Sequence, residues 1–381
     1  YRSLNLDVDV LRNADTIIID EVSMVRADLM DAIDWSLRQI MGKHDKIFGG
    51  KQMILCGDIF QLPPVVKNEE LPILYQSYRP NFYFFQSKVL SNCFLPKIEL
   101  KKVYRQTDRA FIHFLDKMRD NTLSDEEIHS FNDKTSMKSK VLLSDWSVIL
   151  TTTNKIALGI NQSKLKSLEG ESRTYYAKIS GDFPEGIRPT DTVLELKIGA
   201  HVVLLRNDAE SRWVNGTTGY VVEMGLDFVK VRLKNQTTVT ISACDWENIG
   251  YNSRQSGSIE KYRKGLFTQL PLKLAWAMTI HKSQGLTFDE VIVDFGESAF
   301  ASGQTYVALS RVKSLNGLSL KRPLRRQDII VDEQIKRFTY EFNSPNLIQK
   351  LVKDRDTKDI DMYLNHLLKS NQTDHENIEA K

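Results

Sequence analysis

Along the first hundred residues, short apolar runs alternate with stretches of helical spacing. Thr16–Asp20 (TIIID) is followed by Arg26–Met41 (RADLMDAIDWSLRQIM), then by Gln52–Asp58 (QMILCGD), and later by Pro96–Tyr104 (PKIELKKVY). This alternation predicts a parallel sheet wrapped by helices. Leu29, Ile33, Leu37 and Ile40 recur at helical spacing and are expected to form the buried stripe of the first long helix. A second α/β unit starts at Ser147–Leu165 (SVILTTTNKIALGINQSKL), where a β-rich run meets Asn154, a good cap for the helix that follows. It resumes at Leu270–Gly296 and Tyr306–Leu320. Between these halves, Gly199–Trp246 carries the runs AHVVLLRND, TTGYVVEM, FVKVRL and TTVTISA, separated by polar turns. Such short alternating runs predict hairpins closing into a small inserted β-barrel, with a plain antiparallel sheet as the alternative. The expected division is residues 1–125, then 126–195 with 266–326, with the barrel at 196–265. A C-terminal helical segment and tail take 327–381, with Val331–Phe342 packing back and a frayed end.

Composition narrows the class without deciding function. A hydrophobic share of 41% and a charged share of 27% place the chain among globular proteins. No run approaches the ~18 uninterrupted apolar residues of a membrane span, and Tyr1–Asp9 lacks the grammar of a signal peptide, so no membrane association is expected and the setting is intracellular and cytoplasmic, at the nucleoid if bacterial. Cys56, Cys93 and Cys244 are too scattered for a disulfide framework or a zinc site. The net charge of +3, from 52 basic and 49 acidic residues, leaves nucleic-acid binding to a local groove. The basic run Leu320–Arg326 (LKRPLRR) is weighed as a solvated connector.

Two motifs suggest chemistry. In Thr16–Val25 (TIIIDEVSMV), an apolar strand ends in two acids, which suits a carboxylate for Mg²⁺ at Asp20 and a proton acceptor for an attacking water at Glu21. A strand running into an acidic helix start explains the same letters. In Ile54–Val66 (ILCGDIFQLPPVV), a second strand delivers Gln61 to the sheet's carboxyl edge, where ligands of open α/β sheets bind. An amide there can orient water beside a γ-phosphate, whereas Pro63 and Pro64 also fit a simple rigid turn.

In order along the chain, IIIDEVSMV, GDIFQLPPVV, VYRQ, TIHKSQGLTFDEVIVD and YVALSRV resemble the PIF/RecD branch of superfamily-one DNA helicases, over about Thr16 to Leu320. The resemblance implies an α/β fold of two RecA-like parallel-sheet domains, the first incomplete, with an SH3-like barrel inserted in the second. It further implies ATP and Mg²⁺ as cofactors and single-stranded, forked or structured duplex DNA as partners. The expected form is a monomer moving 5′ to 3′, in replication, repair or recombination. Carried over residue by residue, Asp20 holds Mg²⁺, Glu21 activates water, Gln61 reads the γ-phosphate, and Arg105 and Arg311 approach it from the two domains. A carboxylate partner for Arg105, or a helix-end role for Arg311, is the bland alternative. Thr279, His281, Lys282 and Ser283 supply phosphate donors for DNA, with Gln284 and Gly285 facing the nucleotide. Thr152 and Asn154 add DNA contacts, and Asn215–Gly216 in RWVNGTTG matches a DNA-side turn. Lys230, Arg232 and Lys234 share one strand face, as on any half-buried strand.

No G-x-x-x-x-G-K-[ST] occurs in the 381 residues. Met41–Asp45 (MGKHD) and Phe48–Gln52 (FGGKQ) lack its leading glycine and its hydroxyl residue, and the second also falls after the acidic pair. The expectation is therefore a helicase segment without its phosphate loop, inactive by itself because that loop's N–H groups and Lys form most of the phosphate cradle. The alternatives are a non-catalytic single-stranded-DNA-binding module, or the helicase part of a larger relaxase or recombination protein.

Overall fold

The computed structural model describes residues 8–91, 93, 95–136, 146–253, 259–340 and 342. The frayed tail expected at the C-terminus lies outside them. No helix among them is long and apolar enough to cross a membrane. The described residues fall into two compact units, one within 8–91 and 103–331 and one within 93–102 and 332–342.

In the first unit, α1 (Val8–Asn13) leads to β1 (Thr16–Ile19), and α2 (Ala27–Met41) leads to β2 (Gln52–Leu55). β1 and β2 pair in parallel from Thr16↔Gln52 to Ile19↔Leu55, so both strands deliver their following residues to the same edge. Gly42 ends α2 in the left-handed region, with its N–H returned to the carbonyls of Arg38 and Gln39. The buried face of α2 is Ala27, Met30, Asp34 and Leu37, and Leu29 is 50% exposed, which corrects the expected stripe. The helix turns this way because Asp34 accepts the Phe48 N–H at 2.6 Å and the Arg38 guanidinium at 2.8 Å, a satisfied buried carboxylate. Gly49 then lies so close that a Cβ would stand 2.6 Å from the Leu37 carbonyl oxygen. The nearby Lys51 ammonium is held by the carbonyls of Arg12 and Ala14, so the FGGKQ lysine serves backbone oxygens.

The chain continues through the one-turn helices α3 (Leu71–Leu74) and α4 (Lys88–Ser91), then α5 (Arg109–Arg119) and α6 (Asp125–Thr135). Asp108 caps α5 through the N–H groups of Ala110 and Phe111, and Ser124 with Glu127 forms a capping box on α6. Pro96–Tyr104, expected as a strand, forms no regular element, and its Leu100 is 91% exposed. A strand requires a neighbouring ladder to pair its N–H and C=O groups, and that stretch has none among the described residues.

β3 (Val148–Thr151) and α7 (Asn154–Ser167) open the second parallel sheet. Thr153, not Asn154, caps α7, its hydroxyl accepting the Ile156 N–H. Antiparallel strands then run from Arg173 to Leu274, wider than the 196–265 expected: β4 (Arg173–Tyr176), β5 (Lys178–Gly181), β6 (Val193–Leu196), β7 (His201–Leu204), β8 (Thr218–Met224), β9 (Phe228–Leu233), β10 (Thr238–Ser242), β11 (Cys244–Ser253), β12 (Ile259–Gln269) and β13 (Leu272–Leu274). They form a five-stranded sheet ordered β10-β9-β8-β7-β13, a three-stranded sheet β11-β12-β5 and the pair β4-β6. β14 (Ala277–Thr279), β15 (Val291–Asp294), α8 (Gln304–Ser310) and β16 (Leu318–Leu320) complete the parallel sheet, ordered β14-β3-β15-β16. Its core gathers Leu150, Val291, Val293, Val307 and Leu309, and it also takes in Leu62 from the QLPP loop.

The basic run at 320–326 is absorbed by ion pairs: Lys321 with Asp294, Arg322 with the fully buried Asp328, and Arg326 with Asp125. In the second unit, Asp332 caps α9 (Glu333–Thr339), the Lys97 ammonium lies 4.3 Å from the Phe338 ring centroid, and Phe338 meets Phe342 edge-on.

His201 on β7 is fully buried between Trp146 and Tyr220, and neither ring nitrogen has a hydrogen-bond partner. Burial pulls its pKa down to about 4. A histidine buried as the neutral form contributes stability above its unfolded pKa near 6.5, lost as pH falls toward the folded value. The expected result is that the wild-type chain loses about 3 kcal/mol more than His201→Phe between pH 7 and pH 4. Urea midpoints at the two pH values measure this, and parallel losses in both proteins would refute it.

Candidate functional site

Parallel register places the candidate residues at strand ends. Asp20 follows β1 and Asp58 follows β2, whose last residues Ile19 and Leu55 are paired. Thr279 is in register with Thr151, and Thr151 with Asp294, so Thr152, Thr279 and Asp294 lie at the carboxyl edge of the second sheet. Both edges are where ligands of open α/β sheets are received.

At the first edge, Asp20 and Glu21 are exposed, and Asp20 Oδ1 accepts the Glu21 N–H at 2.8 Å. Glu21 is left-handed (φ 50°, ψ 41°), a conformation costing a non-glycine residue roughly 1 kcal/mol or more. The turn is held by the Val22 N–H on the Cys56 carbonyl at 2.9 Å and by Gly57, where a Cβ would meet the Val22 nitrogen at 2.9 Å. One free carboxylate edge on Asp20 suits a Mg²⁺ that keeps most of its waters, the usual arrangement for this ion. Among the described residues no cluster of three or more His, Cys, Asp or Glu is placed to hold a metal.

Gln61 is tied on both sides. Its Nε2 donates to Asp58 Oδ2 at 3.2 Å, and its Oε1 accepts from Gln284 Nε2 at 3.2 Å. The chain ahead of α8 presses on the same loop: Gly303 is left-handed, and a Cβ there would sit 2.3 Å from the Phe60 carbonyl oxygen and 2.4 Å from that of Gln61. Any larger residue would push α8 away from Gln61.

Arg311 follows α8 and is 1% exposed. Its Nε donates to the Val307 carbonyl at 3.0 Å and its Nη2 to Ser310 Oγ at 2.8 Å. No carboxylate among the described residues forms an ion pair with it. Burial and the neighbouring Arg105 pull its pKa down to about 10, while Tyr306, Asp58 and Glu21 act the other way. It is still charged at neutral pH. Arg105 reaches the Ser310 carbonyl at 3.5 Å, and Gln106, 6% exposed, donates to the carbonyls of Ser310 and Val312 at 2.9 and 3.0 Å. Gln106, Leu62, Asp58 and Tyr306 were not singled out from sequence, although all four fall inside the quoted motifs. Neutral and aromatic letters, and a single acid such as Asp58 after a strand, carry little signal until their neighbours are known.

At the second edge, His281 is half-buried and Lys282 is exposed. Burial lowers the His281 pKa, which favours the neutral ring. Ser283 departs from expectation: it is fully buried and donates its hydroxyl to the Ile280 carbonyl at 2.7 Å, so it offers no surface donor. Thr152 and Thr279 are each 5% exposed, while Asn154 and Gly285 are open. The Asn215–Gly216 turn meets the same loop, since a Cβ on Gly216 would lie 2.9 Å from Leu286 Cδ2, and Asn215 remains exposed. Of the three cations on β9 and its turn, Lys230 is paired with Glu223 and Lys234 with Asp289 and Glu290. Lys234 thus ties the five-stranded sheet to the second parallel sheet.

Two parallel sheets with acids, an amide and arginines gathered at their carboxyl edges define an α/β protein of the RecA-like kind. The profile described as PIF1-like helicase matches residues 5–129, and one described as Helicase matches residues 271–342. The human ATP-dependent DNA helicase PIF1 is 38% identical over 316 residues, covering 80% of this chain and 46% of the human protein. Unliganded Pif1 from Bacteroides sp superposes with a TM-score of 0.77 at 36% identity, covering 89% of this chain and 78% of that one. The Bacteroides Pif1 helicase in complex with ADP-AlF3 and ssDNA gives a TM-score of 0.66 at the same identity and coverage. The chain belongs to the PIF1-like helicase family. It spans less than half the length of the human relative.

Proposed function

We propose that the chain supplies the ATP-hydrolysing edge and the single-stranded-DNA path of an ATP-dependent DNA helicase that moves 5′ to 3′ as a monomer and opens forked or structured duplexes. The observation that carries the nucleotide reading is Arg311: a fully buried guanidinium with no ion-pair partner among the described residues is costly, and a phosphate arriving beside it removes that cost. In this reading Asp20 holds Mg²⁺, which when bound neutralises charge on the phosphate oxygens. Glu21 takes the proton from the attacking water. Gln61 senses the γ-phosphate, Arg105 and Arg311 stabilise charge on the transferring group, and Gln284 and Gly285 border the nucleotide. His281, Lys282 and Asn215, with the backbone around Thr152, Asn154, Thr279 and Gly216, track the DNA phosphates and sugars, contacts that position the strand without reading sequence. A relative whose structure holds ADP-AlF3 and ssDNA supports both halves of the assignment. The first parallel sheet is proposed to be incomplete without a phosphate-loop strand, and the antiparallel insert to be an SH3-like barrel.

No phosphate-loop motif occurs among these 381 residues. The expected result is therefore that the chain alone binds single-stranded oligonucleotide yet releases no phosphate from ATP, whereas a polypeptide extended by a phosphate-loop segment hydrolyses ATP when oligonucleotide is added. Phosphate release measured on both decides the matter. Turnover by the unextended chain overturns the inactivity. Silence in both, with oligonucleotide bound, supports a non-catalytic DNA-binding module instead.

A further inference from the structure

The Gln61 amide has two chemically different ends, and its neighbours determine which end faces which way. Asp58 at the end of β2 offers only acceptors: Oδ1 takes the Phe60 N–H at 3.1 Å and Oδ2 takes Gln61 Nε2 at 3.2 Å. Gln61 Oε1 is then left facing Gln284, whose Nε2 donates to it at 3.2 Å. Gln284 belongs to the loop that carries His281 and Lys282, and its own Oε1 is buried without a partner. The elements around Asp58 are fixed: Leu62 is sealed in the core of the second sheet, the Arg119 guanidinium lies 4.5 Å from the Phe60 ring centroid, and Gly303 abuts the Phe60 and Gln61 carbonyls. From α8, the half-buried Tyr306 phenol faces the Asp58 carboxylate, with Arg119 and Arg311 nearby.

We infer that Asp58 is a positioning residue which holds the Gln61 amide with its nitrogen toward β2 and its oxygen toward Gln284, so that displacement of the 281–285 loop by DNA is transmitted to Gln61. This rests on the nucleotide and DNA reading above and adds to it the group that gives the connection its direction. A carboxylate cannot donate, so Gln61 cannot reverse its amide without losing a hydrogen bond. An asparagine at 58 whose Oδ1 still accepts the Phe60 N–H turns its Nδ2 toward Gln61 as a donor, so the Gln61 amide loses its hydrogen bond unless it reverses and turns its nitrogen toward Gln284. Tyr306 on α8 lies near enough to Asp58 for the two groups to interact electrostatically.

The test uses Asp58→Asn in a polypeptide carrying both these residues and a phosphate loop, with kcat and KM for ATP measured with and without single-stranded oligonucleotide. Losing the orientation of one hydrogen bond predicts that DNA-stimulated kcat falls about tenfold while KM for ATP moves less than about twofold and the melting temperature is retained. Tyr306→Phe is expected to shift the same ratio in the same direction by a smaller factor. Wild-type DNA stimulation in Asp58→Asn overturns the inference, as does an equal loss with and without DNA accompanied by a lower melting temperature, which marks a cap on the turn and nothing more. Glu21→Gln run alongside tests the site itself. If it still hydrolyses ATP, the underlying reading fails, whereas an inactive Glu21→Gln beside a fully stimulated Asp58→Asn removes only the inference about Asp58.

Discussion

Arg311→Lys lowers ATP hydrolysis about 10³-fold or more in a polypeptide that carries the phosphate loop, while affinity for single-stranded oligonucleotide stays within about threefold, the range being that of arginines acting on a transferring phosphoryl group. The size of the effect follows from geometry. The guanidinium is anchored to its own helix end through Val307 and Ser310, is 1% exposed, and has no ion-pair partner among the described residues. Its planar fork can keep those two anchoring bonds and still present further N–H groups to phosphoryl oxygens, which an ammonium cannot do. Its pKa near 10 keeps it charged throughout the neutral range, so the substitution removes shape and donors, not charge. Phosphate release and fluorescence-anisotropy titration check the two halves. Retention of more than about a tenth of the wild-type rate would place Arg311 outside the reaction, as the buried end of a helix.

Glu21→Gln is expected to reduce hydrolysis about 10²- to 10⁴-fold without weakening ATP binding, the usual contribution of a positioned general base. The side chain is exposed at the strand edge, and its backbone is held left-handed by the Asp20 carboxylate and the Cys56 carbonyl. Glutamine has the same shape and preserves that turn, so any loss reports the carboxylate itself. Equilibrium binding of a fluorescent nucleotide, compared with single-turnover phosphate release, separates the two effects. A parallel loss of binding and turnover would mean that the residue shapes the site, leaving the proton to another acceptor.

Much of this arrangement was legible from the letters. TIIID and QMILC are apolar runs ending in acids or Gly-Asp, and a parallel pair with both ends at one edge is what they form. The hairpin runs between 199 and 246 became β7 to β10, because alternation along a strand is set by the pleat and needs no distant information. Pro96–Tyr104 failed for the complementary reason: its apolar alternation is adequate for a strand, but strand pairing is non-local and no neighbouring strand pairs with it among the described residues. Leu29 failed because helix periodicity gives the width of a stripe and not its phase. The phase was set by Asp34, whose carboxylate caps the Phe48 backbone. Ser283 is a donor by residue type, yet its place after a buried strand turned its hydroxyl inward.

Local chemistry written in the sequence by itself determined the strand ends, the acids and amide that follow them, the parallel class of the two sheets and the absence of a phosphate-loop motif. The tertiary structure alone decided which groups meet. Gln61 lies 223 positions from Gln284 in the chain, and Arg105 lies 205 from Ser310. Folding buried Arg311 with no ion-pair partner among the described residues, and packing of Gly303 on the Gln61 loop set how close α8 comes. Spacing along a chain encodes dihedral preference and face, whereas hydrogen-bond partners, desolvation and pKa depend on distances that exist only once the two sheets have packed.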